Sequence, residues 1–558
     1  MPNINNFDAI VVGSGISGGW AAKELTAKGL KTLLLERGRN VEHIKDYPTA
    51  TMAPWDFKHP GMLSKKMKEE QHIQIRAFCN EANSHFFVND KEHPYNQVKP
   101  FDWIRGYHVG GRSLMWGRQC YRWSDLDFEA NAKEGIAVDW PIRYRDIAPW
   151  YSHVEKFVGI SGSREGLPQL PDGEFLPPME MNCLEQHVSS RLKETSSDRH
   201  MIIGRVANLT RGWNGRGPCQ FRNMCDRGCP FGGYFSSNSA TIPAAMATGN
   251  LTLRPNSVVM EVIYDKKTKR ASGVRIIDAE TMKTEEFYAK IIFLNASTIG
   301  TTSILLQSKS DAFPNGLGNS SDQVGRNLMD HHYHVGASGT YEGFGDKYFY
   351  GRRANGIYIP RFRNISDSTK KSDFLRGYGF QGGAGRGTAQ FNEGIGVQLK
   401  ENLAEPGTWS MALYAFGEHL PYADNKVTLN HEKKDKWGLP TLDIECDFRE
   451  NERNMRKDMK FTASETLEIA GLKNISSYDD PNASPGLCIH EMGTARMGKD
   501  PKTSVLNKWN QMHDVSNIFI TDGSCMTSSA CQNPSITYMA LTARAVDYAV
   551  GEMKKGNI

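Results

Sequence analysis

The sequence predicts an α/β chain (α+β overall) of at least two lobes, one of them built on a dinucleotide-binding unit. Three observations carry that reading. The N-terminal stretch "FDAIVVGSGISGGWAAKELTAKGLKTLLLERG" reads as strand, glycine-rich turn, helix and strand. "IIFLNASTIGTTSILLQS" at 291–308 repeats the pattern of apolar strand, small-residue turn and helix. A chain of 558 residues exceeds what one hydrophobic core normally supports. Length alone points to about three or four units.

In the first unit "AIVV" is a short buried strand, and Gly13, Gly15 and Gly18 give GxGxxG spacing. Gly13 permits the tight turn, Gly15 lets a pyrophosphate approach the backbone, and Gly18 lets the helix pack on the strand. The phosphates then meet free N–H groups at a helix N-terminus. Ala21, Ala22 and Leu25 recur at helical packing intervals, and "TLLLE" is the second strand. Glu36, at its end, can accept hydrogen bonds from a ribose diol, which favours an unphosphorylated adenosine ribose. Ser17 and Arg37 flank these contacts. The turn by itself fits FAD or NAD.

"HVGGRSLMWGR" at 108–118 is a second glycine-rich turn with no helical period behind it, suited to laying backbone along a flat cofactor. "NSVVMEVIYDKKTKRASGVRIID" has two apolar runs around a polar turn and predicts a hairpin before the strand at 291. "GFQGGAGRGTAQFNEGIG" reads as a glycine-rich connector. In "DHHYH" the spacing puts His332 and His334 on one strand face beside His331. Three neighbouring histidines of a strand do not converge on one ion, so no metal is expected there. "CIHEMGTARMG" sets His490 beside a glycine-rich turn. In "QNPSITYMALTARA", Asn533 is a natural N-cap, Pro534 suits the first helical position, and Ile536, Met539, Ala540 and Ala543 share one face.

Apolar residues at 39% and charged ones at 23%, with mean hydropathy −0.52, describe an ordinary globular chain. A net charge of +4 with the two signs interspersed gives no footprint for nucleic acid. No run approaches the roughly 18 apolar residues of a spanning helix. The start shows no basic region, no twin arginine and only four consecutive apolar residues, so no export signal is expected.

Ten cysteines are too few for a disulfide scaffold, yet three of them fall in "CQFRNMCDRGC" at 219–229. Cys219, Cys225 and Cys229, with five and three residues between them, have no histidine or fourth cysteine in the loop to complete a structural zinc site, and a disulfide would leave one thiol over. An iron-sulfur cluster fits better, because the Cys, three residues, Cys-Pro ending echoes bacterial ferredoxin loops.

The N-terminal unit, 108–118, 291–308, "GRNLMDHH" at 325–332 and "IFITDGSCMTSSACQNPSITYMALTARAVDYAV" resemble, in the same order, the flavin-binding segments of the glucose-methanol-choline oxidoreductases. The resemblance implies a Rossmann-like FAD-binding domain assembled from segments 1–50, 100–120, 205–330 and 485–558, with the cysteine loop inserted. A sheet-and-helix substrate domain would use 51–99, 121–204 and 331–484. It implies FAD contacts from Gly110, Gly111, Ser113, Met115, Val258, Ala296, Gly523 and Asn533, with Asp522 near the ribityl-pyrophosphate chain. In the related pyranose 2-oxidases a histidine of the second glycine-rich motif carries covalent flavin. Met115 stands in the corresponding place and offers no nucleophilic nitrogen, so non-covalent FAD is expected.

By the same resemblance His490 would take the hydroxyl proton as general base, Asn533 would hydrogen-bond the same oxygen, and the carbon's hydrogen would leave as hydride. Bacterial members that act on glucose or on the carbon 3 hydroxyl of glycosides carry a cysteine triad of this kind. There it binds a three-iron, four-sulfur (3Fe-4S) cluster that passes electrons towards a cytochrome c partner. They travel with a small subunit bearing the export signal, which implies a periplasmic workplace if co-exported and a cytoplasmic one otherwise. The expectation is therefore the catalytic subunit of an FAD-dependent carbohydrate dehydrogenase most like the glucoside 3-dehydrogenases. The alternatives are a pyranose oxidase using oxygen, a glucose or gluconate dehydrogenase, and a non-catalytic flavin-binding scaffold.

Overall fold

The computed structural model describes residues 5–59, 61–196, 198–349, 356–388 and 394–558. The elements that position the site are, in chain order, β1 (Asn6–Val12), α1 (Ile16–Ala27), β2 (Thr32–Leu35), β3 (Leu251–Arg254), β4 (Ser257–Asp265), β5 (Arg270–Asp278), β6 (Thr284–Leu294) and α2 (Thr298–Gln307). They continue with β7 (Val335–Tyr341), β8 (Ile357–Ile359), β9 (Tyr378–Thr388), β10 (Pro406–Gly417), α3 (Glu450–Ile469), β11 (Lys473–Asp479), β12 (Ile518–Ile520) and α4 (Ser535–Lys554).

Among the described residues the largest sheet has seven strands, ordered β3, β2, β1, β6, β5, β4, with β12 also pairing β6. β1, β2, β3 and β12 join as parallel strands; AIVV of β1, LLL of β2 and IFI of β12 are covered on both faces and read as apolar runs, whereas β3, LTLR, is the partly buried edge strand. Alternate residues divide between two cores. Ala9, Val11, Leu34, Phe293 and Phe519 pack with Ala21 and Leu25 of α1 and Val546 of α4. Ile10, Val12, Leu35, Leu294 and Ile520 face the opposite core, with Leu305 of α2. β4 and β5 form the expected antiparallel hairpin, Ser257 opposite Asp278.

A second, antiparallel sheet runs β11, β7, β10, β9, β8 and the two-residue strand Ile202–Ile203. Met455, Met459, Ala463 and Leu467 of α3 cover one face of it, against Val335, Ala337, Trp409, Met411 and Leu413. Here the sequence reading is corrected: the stretch read as a glycine-rich connector contains β9, while residues 389–393 of it lie outside the described residues. Tyr378 and Phe380 supply the buried period-2 face. The glycines allow close strand approach, since a Cβ on Gly382 would stand 2.1 Å from the Ala412 carbonyl oxygen.

The "DHHYH" reading is also corrected. β7 begins only at Val335, and His334 is left-handed at φ 62°, so His332 and His334 share no strand face. His332 is buried, whereas His331 turns towards His490. Among the described residues no helix is long and apolar enough to cross a membrane.

Candidate active site

The carboxyl ends of β1, β2 and β6 open into a cavity of about 550 Å³ that extends to Gln381 and Phe416 of the second sheet. Ligand sites of open α/β sheets lie at such strand ends. Gly13, Gly15, Ser17, Glu36, Arg37, Gly111, Ser113, Met115, Val258, Ala296, Asp522 and Gly523 all line it, as do His490 and Asn533. Gly18 and Gly110 do not. Gly18 acts behind the turn, where a Cβ would lie 1.8 Å from the Gly13 carbonyl oxygen. Gly110, expected to contact the cofactor, is set back: its N–H donates to Ser14 Oγ at 2.9 Å, and its α-carbon is pressed against the Asn238 amide.

The nucleotide end is organised around Glu36. Its Oε2 accepts from Ser14 Oγ at 2.6 Å and Ser14 N at 3.1 Å, and its Oε1 accepts from Gly38 N at 3.0 Å. Burial pushes this carboxyl upwards while those donors hold it down. Arg37 lies between the rings of Tyr107 and Trp437, at 4.0 and 4.9 Å. A second anchor is Asp522, which accepts from Ser524 N at 3.0 Å and from Thr301 Oγ1 at 2.6 Å.

Three features fit FAD. A Cβ built on Gly15 meets nothing within 4 Å, so backbone and the uncapped N-terminus of α1 face open space. The buried Arg37 Nε has no partner within the protein, and neither does the buried Tyr538 hydroxyl, both residues lining the cavity. The N-terminus of the 20-residue α4 also opens there, presenting positive potential through Pro534 and Ser535. Gly15 sits at φ −65°, which any residue adopts. Gly15→Val is therefore expected to fold but to purify with little flavin, checked by the ratio of flavin to protein absorbance. Met115 lines the cavity, while the nearest histidine of that motif, His108, turns its Nδ1 to Val109 O at 2.9 Å and stays outside. Acid precipitation is expected to release all the FAD into the supernatant; flavin left on the polypeptide would contradict non-covalent binding.

At the other end His490 Nε2 stands 3.4 Å from Asn533 Nδ2, and Asn533 Oδ1 accepts from Gln381 Nε2 at 2.6 Å. The cap reading is corrected: Pro534 occupies the N-cap and Ser535 is the first helical residue. The Asn533 amide points to His490 and Gln381, and the helix carries no side-chain cap bond. Asp330 holds the turn before His490, accepting from the N–H groups of Gly486, Cys488 and His490 at 2.8, 3.1 and 2.9 Å. His490 shows part of its ring to the cavity and is otherwise enclosed, and burial, with His331 and Arg112 adding to it, pulls its pKa well below the usual histidine value. His331, Gln381 and Asp330 are site residues that motif reading missed.

The three cysteines line a separate small cavity with Tyr234. All are free thiols, and the Gly233 N–H donates to Cys229 Sγ at 3.3 Å. Burial raises the Cys219 pKa, and its two neighbours add to the rise. These three do not form, among the described residues, a group close enough to ligate a single ion together. Among the described residues the group whose ligand atoms fall within 4.8 Å of one another is instead His331, Cys488 and His490. Three thiols on one cavity are soft donors of the type that iron-sulfur clusters use. The Tyr234 hydroxyl donates to Leu114 O at 2.8 Å, next to Ser113 and Met115 of the main cavity.

Family models described as GMC oxidoreductase match residues 7–333 and 421–542. The chain is 30% identical to a 2-methyl-1,2-propanediol dehydrogenase of Mycolicibacterium austroafricanum, over 97% of this chain and 94% of that one. It is 26% identical to a fructose dehydrogenase large subunit of Gluconobacter japonicus, over 98% of both. A solved structure of formate oxidase from Aspergillus oryzae RIB40 shares the fold, with TM-score 0.63 at 13% identity over 100% of both chains. One model alone spans more than half of the chain at the strands, turns and cavity described above, and the protein therefore belongs to the GMC oxidoreductase family, as an FAD oxidoreductase with sugar or alcohol dehydrogenase or oxidase activity.

Proposed function

We propose that the chain is the catalytic subunit of a sugar dehydrogenase that oxidises a secondary ring hydroxyl, carbon 3 of a glucoside or of glucose, to a ketone. The observation that carries this reading is the pairing of His490 Nε2 with Asn533 Nδ2 at 3.4 Å on the cavity wall. When bound there, held by the contacts of Glu36, Arg37, Gly15, Asp522 and the α4 N-terminus, FAD supplies the two-electron acceptor for the hydride. His490 takes the hydroxyl proton at Nε2 and the Asn533 Nδ2–H donates to the same oxygen, so loss of the carbon-bound hydrogen leaves a carbonyl. Tyr333 and Phe416, stacked at 4.8 Å, line the cavity and offer an apolar face to the C–H groups of a sugar ring.

Cys219, Cys225 and Cys229 would hold a three-iron, four-sulfur cluster, which relays electrons singly to an external acceptor such as cytochrome c. The Tyr234–Leu114 link between the two cavities supports that order. The two sheets support a division into an FAD lobe of 1–50, 100–120, 205–330 and 485–558 and a substrate lobe from the remainder. A small partner subunit, and a periplasmic workplace through it, belong to the same proposal, supported by the relative named as a large subunit. The second reading is a small branched diol as substrate, favoured by the relative at 30% identity.

The test is anaerobic incubation with glycosides, free sugars and 2-methyl-1,2-propanediol, following flavin bleaching and identifying products. Bleaching by a glycoside with a 3-keto product is expected. Bleaching by the diol alone would overturn the sugar reading, and peroxide formed in air in step with sugar consumption would replace dehydrogenase with oxidase.

A further inference from the structure

We infer that His331 sets the tautomer of His490, holding its proton on Nδ1 so that the bare Nε2 faces the substrate; this rests on reading His490 as the base. His331 is buried, and its Nε2 lies 3.1 Å from the carbonyl oxygen of Ser529. A carbonyl only accepts, so that nitrogen carries a hydrogen. Burial draws His331 down to about 4, which keeps its ring neutral and makes Nδ1 a lone pair. That lone pair stands 2.9 Å from His490 Nδ1, which must then be the N–H donor. His490, itself held neutral, is left with its lone pair on Nε2.

The other side of the ring gives the same answer independently. Gln381 Nε2 donates to Asn533 Oδ1 at 2.6 Å, which turns Asn533 Nδ2, a donor, towards His490 Nε2. A donor faces an acceptor only if Nε2 is unprotonated. The Ser529 carbonyl is itself fixed, since Ser529 Oγ accepts from His419 N at 3.1 Å and donates to His419 O at 3.0 Å. One short segment, 529–533, thus orients the base through His331 and supplies Asn533.

The rival is a metal ion held by His331, Cys488 and His490, with Cys488 Sγ 3.4 Å from His490 Nδ1. Two imidazole nitrogens on a tetrahedral zinc would stand about 3.3 Å apart. The observed 2.9 Å is a hydrogen-bond separation. An ion would also strip the proton from Nδ1 and leave it on Nε2, aimed at the Asn533 N–H.

His331 is a positioning residue, and the test separates that role from a structural one. His331→Leu removes the acceptor, and His331→Asn returns an amide oxygen near the place of Nδ1. In anaerobic single turnovers with a substrate that bleaches the wild type, His331→Leu is expected to slow bleaching by about 10²-fold or more. Its FAD content and apparent substrate affinity should be unchanged, and His331→Asn should recover at least about tenfold of the loss. Wild-type bleaching by His331→Leu would overturn the inference, as would equal loss in both flavin-loaded variants. If the leucine variant loses FAD, His331→Asn decides alone: a rate within about tenfold of wild type supports the lock, and a loss of about 10²-fold overturns it. One zinc per wild-type chain, absent from His331→Asn, would assign the pair to an ion instead. His490→Ala is measured in parallel: full bleaching by that variant sinks the base reading itself, whereas its failure beside an unimpaired His331→Leu sinks only the lock.

Discussion

His490→Ala is expected to slow substrate-driven flavin bleaching by about 10²–10⁴-fold while FAD stays bound, because the variant loses proton removal and no cofactor contact on the opposite wall. Glu36 and Arg37 lie at the nucleotide end of the cavity, and Asp522 is held by Ser524 and Thr301. The loss should fall on the rate more than on substrate affinity, since Asn533 and the stacked Tyr333 and Phe416 remain. pH carries the same claim. A base works unprotonated, and burial lowers the His490 pKa, so it stays neutral to more acidic pH than a free imidazole. The acid limb of kcat/KM should lie below the ordinary histidine value of about 6.5. A limb at or above that value would mean that the ring is solvated or that another group titrates.

Replacing Cys219, Cys225 and Cys229 together by serine should abolish bound iron and acid-labile sulfide and cut reduction of an external one-electron acceptor to background. Sugar should still bleach the flavin, because the cysteine loop lines its own cavity and touches neither His490 nor Asn533. Folding should survive, since the loop is anchored by other bonds: Arg222 donates to Ala50 O at 2.9 Å and Arg227 to Met52 O at 3.1 Å. Iron retained in the triple variant would place the metal elsewhere. A wild type purified anaerobically without iron would end the relay.

The parts of the fold that sequence made legible are those whose pattern is local. β1, the glycine turn, α1 and β2 follow one another within thirty positions, and the β4–β5 hairpin closes through a short turn. α4 showed its face through Ile536, Met539 and Ala540. β9 was hidden because its glycines weaken strand propensity, and it exists by pairing with β10. The resemblance implies Gly110 as a cofactor contact, and nothing in the sequence pointed to Asn238, which lies against it. His490 and Asn533 stood out by motif, but the tautomer proposed for His490 depends on a partner 159 positions away. His331 was visible in "DHHYH", but the strand reading, which placed His332 and His334 on one face, gave it no partner in the distant His490 turn. Gln381 sat inside the same glycine-rich stretch as β9 and carried no signal of its own.

The most direct measurement is anaerobic single-turnover flavin bleaching by a glycoside deuterated at the carbon that is oxidised. If His490 removes the hydroxyl proton while that carbon's hydrogen leaves as hydride, the glycoside bleaches the flavin, deuterium slows the step, and His490→Ala all but stops it. A flavin that stays oxidised with every sugar and alcohol offered, or that bleaches equally fast in His490→Ala, would contradict the account.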